Sequence, residues 1–362
     1  MSVTVKHLLI GSTEAYSGKS AVILGIAHQL QAQGVGISYG KPIGTCPSEQ
    51  GDCLDEDVQF ITQTLKLPAE HVSPTLLLLT PQVVQRRITQ QDPTDYRVRL
   101  QEEVIVQGVD LSILEGPGDL NEGCLFSLSL PQMAEDLDAN VLLVSRYSPI
   151  LLVDALLSAQ QRLGDRLMGV VINDVPQEQM QQVESEVRTF LEERGIPVLA
   201  ILPHSEILRS VSVAELVHQL QAEVLCCGDR TDLLVESLKI GAMNVNSALK
   251  YFRKAHNMAV VTGGDRTDLQ LAALETSTHC LILTGHIPPQ KTILSRAEEL
   301  EIPILAVDLD TISTVEIIEQ AFGKVRLQEP VKAENMCQLV AQTLDSDRLL
   351  QKLGLRTPAP AQ

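Results

Sequence analysis

The sequence predicts an α/β protein in which a parallel β-sheet with helices on both faces is followed by a smaller α/β domain. One observation behind this prediction is a series of short, continuous apolar runs, the pattern of strands buried on both faces. Another is the alternation of these runs with longer amphipathic stretches, the rhythm of βαβ units. The rhythm restarts after a polar stretch near residue 205, so the 362 residues suggest two domains.

The predicted elements follow this rhythm along the chain. In the first domain, residues 1–205, the apolar runs predict strands at 8–10, 35–43, 111–114, 141–145, 167–172 and 198–202. In the second, residues 206–328, they predict strands near 223–227, 258–262, 280–283 and 303–307. Residues 329–362 are predicted to form a C-terminal helix and a disordered tail, since Pro and Ala alternate at the end.

Composition narrows the classes of function. The net charge of −18 argues against general affinity for nucleic acid or anionic membrane, and aromatic residues make up only 3% of the chain. No apolar run approaches the roughly 20 residues of a membrane span, and no signal peptide precedes the first strand. We therefore expect a cytoplasmic protein that binds neither nucleic acid nor membrane.

The first informative stretch is Gly11-Ser-Thr-Glu-Ala-Tyr-Ser-Gly-Lys-Ser20, between an apolar run and an amphipathic stretch at residues 21–33. A strand, a small-residue loop ending in Gly-Lys-Ser and a helix predict a phosphate-binding P-loop. Lys19 can neutralise β- and γ-phosphates, and the Ser20 hydroxyl can ligate Mg²⁺. Thr13 stands where the usual first glycine would fall, so an ordinary strand-to-helix turn is the alternative.

The second informative stretch delivers Glu115 to the carboxyl end of a buried strand, before Gly116-Pro-Gly118. Ligands of open α/β sheets bind beyond these strand ends. A carboxylate there can hold Mg²⁺ opposite Ser20, because Mg²⁺ takes one or two carboxylates plus phosphate oxygens and water. The alternative is an acidic residue that only initiates a turn.

Other polar side chains follow predicted strands. Asn173 can contact an adenine edge, and Lys41 can reach a phosphate or a substrate anion, although a turn residue and a surface lysine are the simpler interpretations. The string Gly228-Asp-Arg-Thr-Asp-Leu233 recurs as Gly264-Asp-Arg-Thr-Asp-Leu269. Its two copies are either equivalent anion sites or a helix cap used twice. We take Asp229, Arg230, Asp265 and Arg266 as a candidate effector site.

These residues carry a resemblance to known families. Residues 1–205 resemble the dethiobiotin synthetase and cobyrinate amidase group of P-loop proteins, through the loop Thr13 to Ser20, Lys41-Pro42, the acidic stretch Asp55 to Asp57 and Leu114-Glu-Gly-Pro-Gly118. Residues from about 206 to 325 resemble the DRTGG domain, here with Thr262-Gly-Gly-Asp-Arg-Thr267. Together they resemble the N-terminal regulatory half of long phosphate acetyltransferases, over nearly the whole chain.

The resemblance implies that ATP and Mg²⁺ bind to the first domain. The implied metal ligands are Ser20, Asp57 and Glu115, with Asp55 left open as an alternative to Asp57. The implied nucleotide-binding residues are Thr13, Glu14, Ser17, Gly18, Lys19, Ser20 and Asn173.

Three functions are compatible with these residues. We expect an ATP- and Mg²⁺-binding regulator whose DRTGG domain senses a small-molecule effector or forms a homo-oligomer. The alternative is an ATP-dependent, carboxylate-activating ligase of the dethiobiotin synthetase type, with Lys19 and Lys41 as catalytic residues. A third interpretation is an interaction protein whose P-loop has decayed at Thr13.

Several related activities are not expected. We do not expect acetyl transfer to phosphate, because the sequence stops before an acetyltransferase domain. We do not expect glutamine-dependent amidation, because no cysteine has the setting of a glutaminase nucleophile. Glu14 stands where partition-type ATPases carry their signature lysine, which disfavours their dimerising cycle.

Overall fold

The computed structural model describes residues 5–44, 55–104, 106–323, 327 and 329–355. The chain divides into two compact units, one formed by Met1–His204 with Leu327–Gln362 and the other by Ser205–Arg326. The residues 329–355 that the sequence sets apart as a C-terminal segment are thus part of the first unit. The predicted disordered tail at residues 356–362 lies outside the described residues.

The first unit is built on a seven-stranded sheet in which each described pair of neighbours is parallel. Alternate residues of its central strand point to opposite faces, yet Leu8, Leu9 and Ile10 are all 0% exposed, so both faces are covered. The strands, in spatial order, are Val72–Ser73, Ile37–Gly40, Leu111–Glu115, Lys6–Ser12, Asn140–Arg146, Leu167–Val175 and Val198–Pro203. A two-stranded parallel pair joins Ile43–Gly44 to Leu77–Leu78.

Helices connect and cover these strands, as the α/β pattern predicts. The α-helices of the first unit are Lys19–Ala32, Glu56–Thr64, Pro81–Ile88, Tyr96–Glu103, Leu130–Asp136, Leu152–Leu163, Met180–Gln182, Arg188–Glu192, Pro330–Thr343 and Ser346–Leu353. A π-helical turn at Val183–Val187 joins two of them, and 3₁₀ turns lie at Ala69–His71, Cys124–Phe126, Gly164–Arg166 and Gln177–Gln179.

The C-terminal helices pack onto the first unit through specific contacts. Gly25, in the helix Lys19–Ala32, lies under Val340, and a Cβ at residue 25 would stand 2.5 Å from Val340 Cγ2. Arg348 donates to both carboxylate oxygens of Glu192, at 2.6 and 2.7 Å. The pattern of an amphipathic helix does not reveal which surface the helix covers. The sequence alone therefore does not assign residues 329–362 to the first domain.

The second unit has a five-stranded sheet with one antiparallel edge. Its spatial order is Glu223–Cys226, Ile304–Ala306, Thr278–Thr284, Met258–Gly263 and Ser237–Gly241. The strand Glu223–Cys226 runs antiparallel to Ile304–Ala306, whereas the other pairs are parallel. An antiparallel pair also joins Val211–Ser212 to Leu234–Val235.

Helices cover this sheet as well. Its helices are Glu206–Arg209, Val213–Leu220, Val245–Phe252, Thr267–Leu274, Lys291–Leu300 and Thr311–Gly323, with a 3₁₀ turn at Gly228–Arg230. Across the described ranges of the chain, no helix is both long enough and apolar enough to cross a membrane.

Candidate functional site

The loop between the central strand Lys6–Ser12 and the helix Lys19–Ala32 has the local geometry that the sequence predicts. Gly18 precedes the helix with φ +85°, a left-handed conformation that favours glycine. A Cβ at residue 18 would stand 2.4 Å from Nδ2 of Asn173. The backbone angle therefore favours glycine, and a larger residue would also displace the side-chain amide of Asn173.

Ser17 contributes an unsatisfied polar atom to this loop. It is 1% exposed, and its Oγ has no hydrogen-bond partner among the described residues. Buried polar atoms are normally hydrogen-bonded, so an orphaned hydroxyl in a loop of this shape indicates a missing partner.

Lys19, Ser20 and Glu115 meet at the carboxyl edge of the sheet. Lys19 Nζ donates to Glu115 Oε1 at 2.7 Å, and Ser20 Oγ donates to the same oxygen at 2.9 Å. The strands Lys6–Ser12 and Leu111–Glu115 are parallel neighbours, with Ile10 paired to Glu115, so their ends bring these groups together. The sequence predicts this juxtaposition correctly from strand ends alone.

Glu115 is an ionised carboxylate deep in the protein. It is 1% exposed, and Tyr39 donates its hydroxyl to Oε2 at 2.7 Å. Burial alone would raise the pKa of Glu115, but the charges of Lys19 and Lys41 and the hydrogen bonds from Lys19 and Tyr39 lower it to about 2. The carboxylate is therefore held in the charged form that a hard cation requires.

Lys41 lies beside this cluster in an ion-pair network. Its Nζ is 2.8 Å from Asp55 Oδ1 and 2.6 Å from Asp57 Oδ2. Burial alone would lower the pKa of Lys41, but the charges of Glu115, Asp57 and Asp55 raise it above its usual range. Burial raises the pKa of Asp57; Lys41 opposes this shift and Glu115 adds to it. Lys41 is thus a buried, charged group held between two carboxylates.

Asp55 has two roles at this position. It is the N-cap of the helix Glu56–Thr64, and its side chain accepts from the backbone N–H of Asp57 at 3.0 Å. The same carboxylate oxygen accepts from Lys41. Asp55 therefore both begins this helix and helps to hold Lys41.

The outer side of the loop is braced by the strand Asn140–Arg146. Thr13 Oγ1 lies 2.8 Å from Ser145 Oγ, so the residue that replaces the usual glycine makes a side-chain hydrogen bond of its own. Glu14 accepts from the backbone N–H of Arg146 at 3.2 Å. Arg146 donates to the carbonyl of Tyr16 at 2.7 Å. These contacts hold the loop from outside.

Asn173 holds the loop from the neighbouring strand. Its Nδ2 donates to the carbonyl of Ser17 at 2.9 Å, so its amide supports the phosphate loop in this structure. Asp174, the next residue, lies 2.6 Å from Nδ1 of His204 and 3.5 Å from the guanidinium of Arg146. The end of the strand Leu167–Val175 is therefore coupled to the loop through both residues.

The donor set fits a phosphate group with a hard divalent cation. The orphaned Ser17 Oγ, beside the N-terminus of the helix Lys19–Ala32, suits a phosphate oxygen. Ser20 Oγ and ionised Glu115, which share a hydrogen bond, are oxygen ligands of the kind that Mg²⁺ prefers. In the part of the chain that the structure describes, no cluster of three or more His, Cys, Asp or Glu could hold a metal.

The two copies of the repeated string lie at opposite ends of the parallel strands of the second sheet. Cys226 pairs with Ile304, the first residue of its antiparallel neighbour, so the copy that starts at Gly228 emerges at the amino ends of the parallel strands. The copy that starts at Gly264 follows Met258–Gly263 and emerges at their carboxyl ends. One chain therefore does not bring the two copies into one site.

The local structures of the copies also differ. Gly228–Arg230 forms a 3₁₀ turn with exposed Asp229, and Arg230 forms an ion pair with Glu301. In the second copy, exposed Asp265 precedes the helix Thr267–Leu274, whose N-cap Arg266 makes no side-chain cap hydrogen bond. The structure therefore does not show a helix cap used twice, because the first copy leads into the strand Leu234–Val235 and the N-cap in the second is Arg266.

Sequence reasoning missed Tyr39 and Arg146. Tyr39 is read as part of an apolar strand, and only its position two residues before Lys41 hints at the site. Arg146 ends the strand Asn140–Arg146 beside the loop, and its position at a strand end was the available signal.

Two family models match parts of this chain. A family described as "AAA domain" matches residues 6–212, and one described as "DRTGG domain" matches residues 215–321. A phosphate acetyltransferase of Synechocystis is 25% identical over 362 residues, which cover 96% of this chain and 51% of that protein. An ATP-dependent dethiobiotin synthetase of Pseudomonas aeruginosa is 27% identical over 214 residues, which cover 57% of this chain and 92% of the enzyme.

A solved structure is also similar in part. The CBS and DRTGG domains of the Clostridium perfringens pyrophosphatase regulatory region, complexed with the activator diadenosine tetraphosphate, share 18% identity and a TM-score of 0.29. The match covers 43% of this chain and 77% of that one. Among the curated relatives, the chain spans about half the length of the phosphate acetyltransferases it matches, 51% in the Synechocystis protein.

Proposed function

The chain belongs to the family described as "AAA domain", and from this premise we propose that it is an ATP- and Mg²⁺-binding regulatory protein. The observation that carries the proposal is the meeting of Lys19, Ser20 and ionised Glu115 behind a glycine-dependent loop. The dethiobiotin synthetase similarity over 57% of the chain supports ATP as the nucleotide.

Each group of the loop has a chemical role in this proposal. Ser17 Oγ donates to a phosphate oxygen, which satisfies the orphaned hydroxyl. Lys19 exchanges Glu115 for the β- and γ-phosphates, and Ser20 with Glu115 supplies protein oxygens to Mg²⁺. Mg²⁺ held there would supply positive charge that offsets the charge of the phosphates. Thr13, Glu14 and Asn173 maintain the loop from outside, through the contacts described above.

Asp57 is the second carboxylate of the proposed metal site. Its pKa is raised by burial, and its charge is balanced by Lys41 in the absence of a cation. Asp57 and Glu115 would hold a divalent cation whose charge would take the place of Lys41 beside Asp57.

The DRTGG unit is the proposed regulatory part. The two copies of its repeated string lie at opposite ends of the parallel strands. Asp265 with Arg266 and Asp229 with Arg230 therefore act separately, each in binding a small-molecule effector or in self-association. A cytoplasmic homo-oligomer is part of the same proposal.

The direct test is calorimetric titration of ATP into the full chain with and without Mg²⁺. We expect Mg²⁺-dependent binding that Lys19→Ala weakens by about 100-fold, since a charged phosphate contact is lost. Lys6→Ala is the matched control, because exposed Lys6 stands at the opposite end of the strand that leads to the loop. Absence of ATP binding by the wild-type chain would overturn the proposal.

A second candidate function, an ATP-dependent carboxylate-activating ligase, is favoured by Lys41. This lysine is 5% exposed, charged and held near Glu115 by two carboxylates, a setting suited to an anionic substrate beside the phosphates. ADP release across a panel of small carboxylic acids separates the two functions: substrate-stimulated turnover supports the ligase, and its absence supports the regulator.

A further inference from the structure

Tyr39 is a buried tyrosine whose hydroxyl reaches the candidate metal site. It lies in the strand Ile37–Gly40 and is 0% exposed. Its OH donates to Glu115 Oε2 at 2.7 Å. A neutral phenol has a proton to donate, and this one is directed at a carboxylate oxygen that accepts it.

The two oxygens of Glu115 consequently have different surroundings. Oε1 receives Lys19 and Ser20, the groups that belong to the phosphate loop. Oε2 receives Tyr39, which approaches from the neighbouring strand. When Lys19 moves to a phosphate, Oε1 becomes available to a cation while Oε2 stays committed to the phenol.

This difference matters for the choice of cation. Mg²⁺ requires near-octahedral geometry with short bonds and keeps several waters, so one oxygen from a carboxylate suits it. Ca²⁺ takes six to eight oxygens at longer distances and often binds both oxygens of one carboxylate. A carboxylate restricted to a single oxygen therefore disfavours Ca²⁺ relative to Mg²⁺.

We propose that Tyr39 is a positioning residue that sets the selectivity for Mg²⁺ over Ca²⁺, by occupying Glu115 Oε2 and leaving Oε1 for the cation. This inference rests on the proposed binding of ATP with a divalent cation at the same site. A tyrosine that only filled the core would not affect which cation supports ATP binding.

The experiment compares Tyr39→Phe with wild type by calorimetric titration of ATP in Mg²⁺, in Ca²⁺ and without metal. The ratio of the ATP dissociation constant in Ca²⁺ to that in Mg²⁺ should fall about tenfold, the effect of losing one charge-assisted hydrogen bond. ATP affinity without metal should stay unchanged. Tyr96→Phe is the matched control, since Tyr96 is also buried and donates to a carboxylate, that of Asp92 at 3.2 Å.

The outcomes separate the inference from the function on which it rests. If wild type binds ATP and Tyr39→Phe leaves the Ca²⁺-to-Mg²⁺ ratio unchanged, the inference is wrong and the function stands. If wild type binds no ATP with either cation, the proposed function itself fails. If the wild type binds ATP equally well with both cations, the inference is wrong. This measurement needs no variant, so it decides even if Tyr39→Phe folds poorly.

Discussion

The ammonium group of Lys19 lies 2.7 Å from Oε1 of Glu115, a carboxylate that is 1% exposed and stands 96 residues further along the chain. The lysine begins the helix after the loop, and the glutamate ends a neighbouring parallel strand. Without a ligand, each charge satisfies the other. The two groups are therefore already placed to bind ligands. An anion can take the place of Glu115 beside Lys19, and a cation can take the place of Lys19 beside Glu115.

The first prediction concerns pH. The pKa of Glu115 is about 2 in the folded protein against a reference of 4.5, so its ionised form stabilises the fold above pH 4.5 and this contribution disappears as the pH falls towards 2. Between pH 6 and pH 3, the free energy of unfolding should fall by about 2 kcal/mol more in the wild type than in Glu115→Gln. Urea unfolding of both proteins at each pH measures it. Parallel losses would show that Glu115 is not held ionised.

The second prediction concerns the loop glycine. Gly18→Ala forces a side chain into φ +85° and places its Cβ 2.4 Å from Asn173 Nδ2. The matched control is Gly108→Ala, with φ +84° and no atom within 4 Å of its Cβ. The positive φ should lower the free energy of unfolding of both variants by about 1 kcal/mol. The contact with Asn173 should lower that of Gly18→Ala further. Equal thermal unfolding of the two variants would contradict the contact with Asn173.

The third prediction concerns the packing of the C-terminal helices. A Cβ at residue 25 would meet Val340 Cγ2 at 2.5 Å, so Gly25→Ala should destabilise the first unit by about 1–3 kcal/mol despite the better helix propensity of alanine. In a Val340→Ala background the penalty should shrink by at least about 1 kcal/mol. Denaturant unfolding of the four proteins of this cycle measures the coupling. Additive effects would argue against the contact.

The fourth prediction concerns the repeated string. Arg266 pairs with Asp268 and donates to the carbonyl of Met243, at an edge of the sheet opposite to Arg230. We expect Arg266→Ala to change the self-association or the effector response of the second unit while leaving ATP affinity intact. Sedimentation velocity over a concentration series, with Arg230→Ala as the comparison, measures the first effect. Unchanged sedimentation and unchanged ligand binding would reduce Arg266 to a structural residue.

The sequence is informative where strand order alone decides the geometry. Continuous apolar runs predict parallel strands, and their shared edge places Lys19, Ser20 and Glu115 together as observed. Asn173 also reaches the loop, although in this structure its amide contacts the Ser17 carbonyl.

The rest depends on contacts that no local pattern encodes. The direction of the edge strand Glu223–Cys226 is set by its pairing with Ile304–Ala306, and that direction separates the two copies of the repeat. An apolar strand pattern does not show that the hydroxyl of Tyr39 points at a carboxylate. The amphipathic helix Pro330–Thr343 likewise gives no sign that Gly25 is its partner.

The central claim, that the loop binds the phosphates of ATP with Mg²⁺, is tested most directly by a crystal structure with Mg²⁺ and a non-hydrolysable ATP analogue. The account predicts phosphate oxygens within hydrogen-bond distance of Ser17 Oγ and Lys19 Nζ, and a metal ion between Ser20 Oγ and Glu115. An analogue bound elsewhere, with the 2.7 Å pair of Lys19 and Glu115 intact, would contradict it.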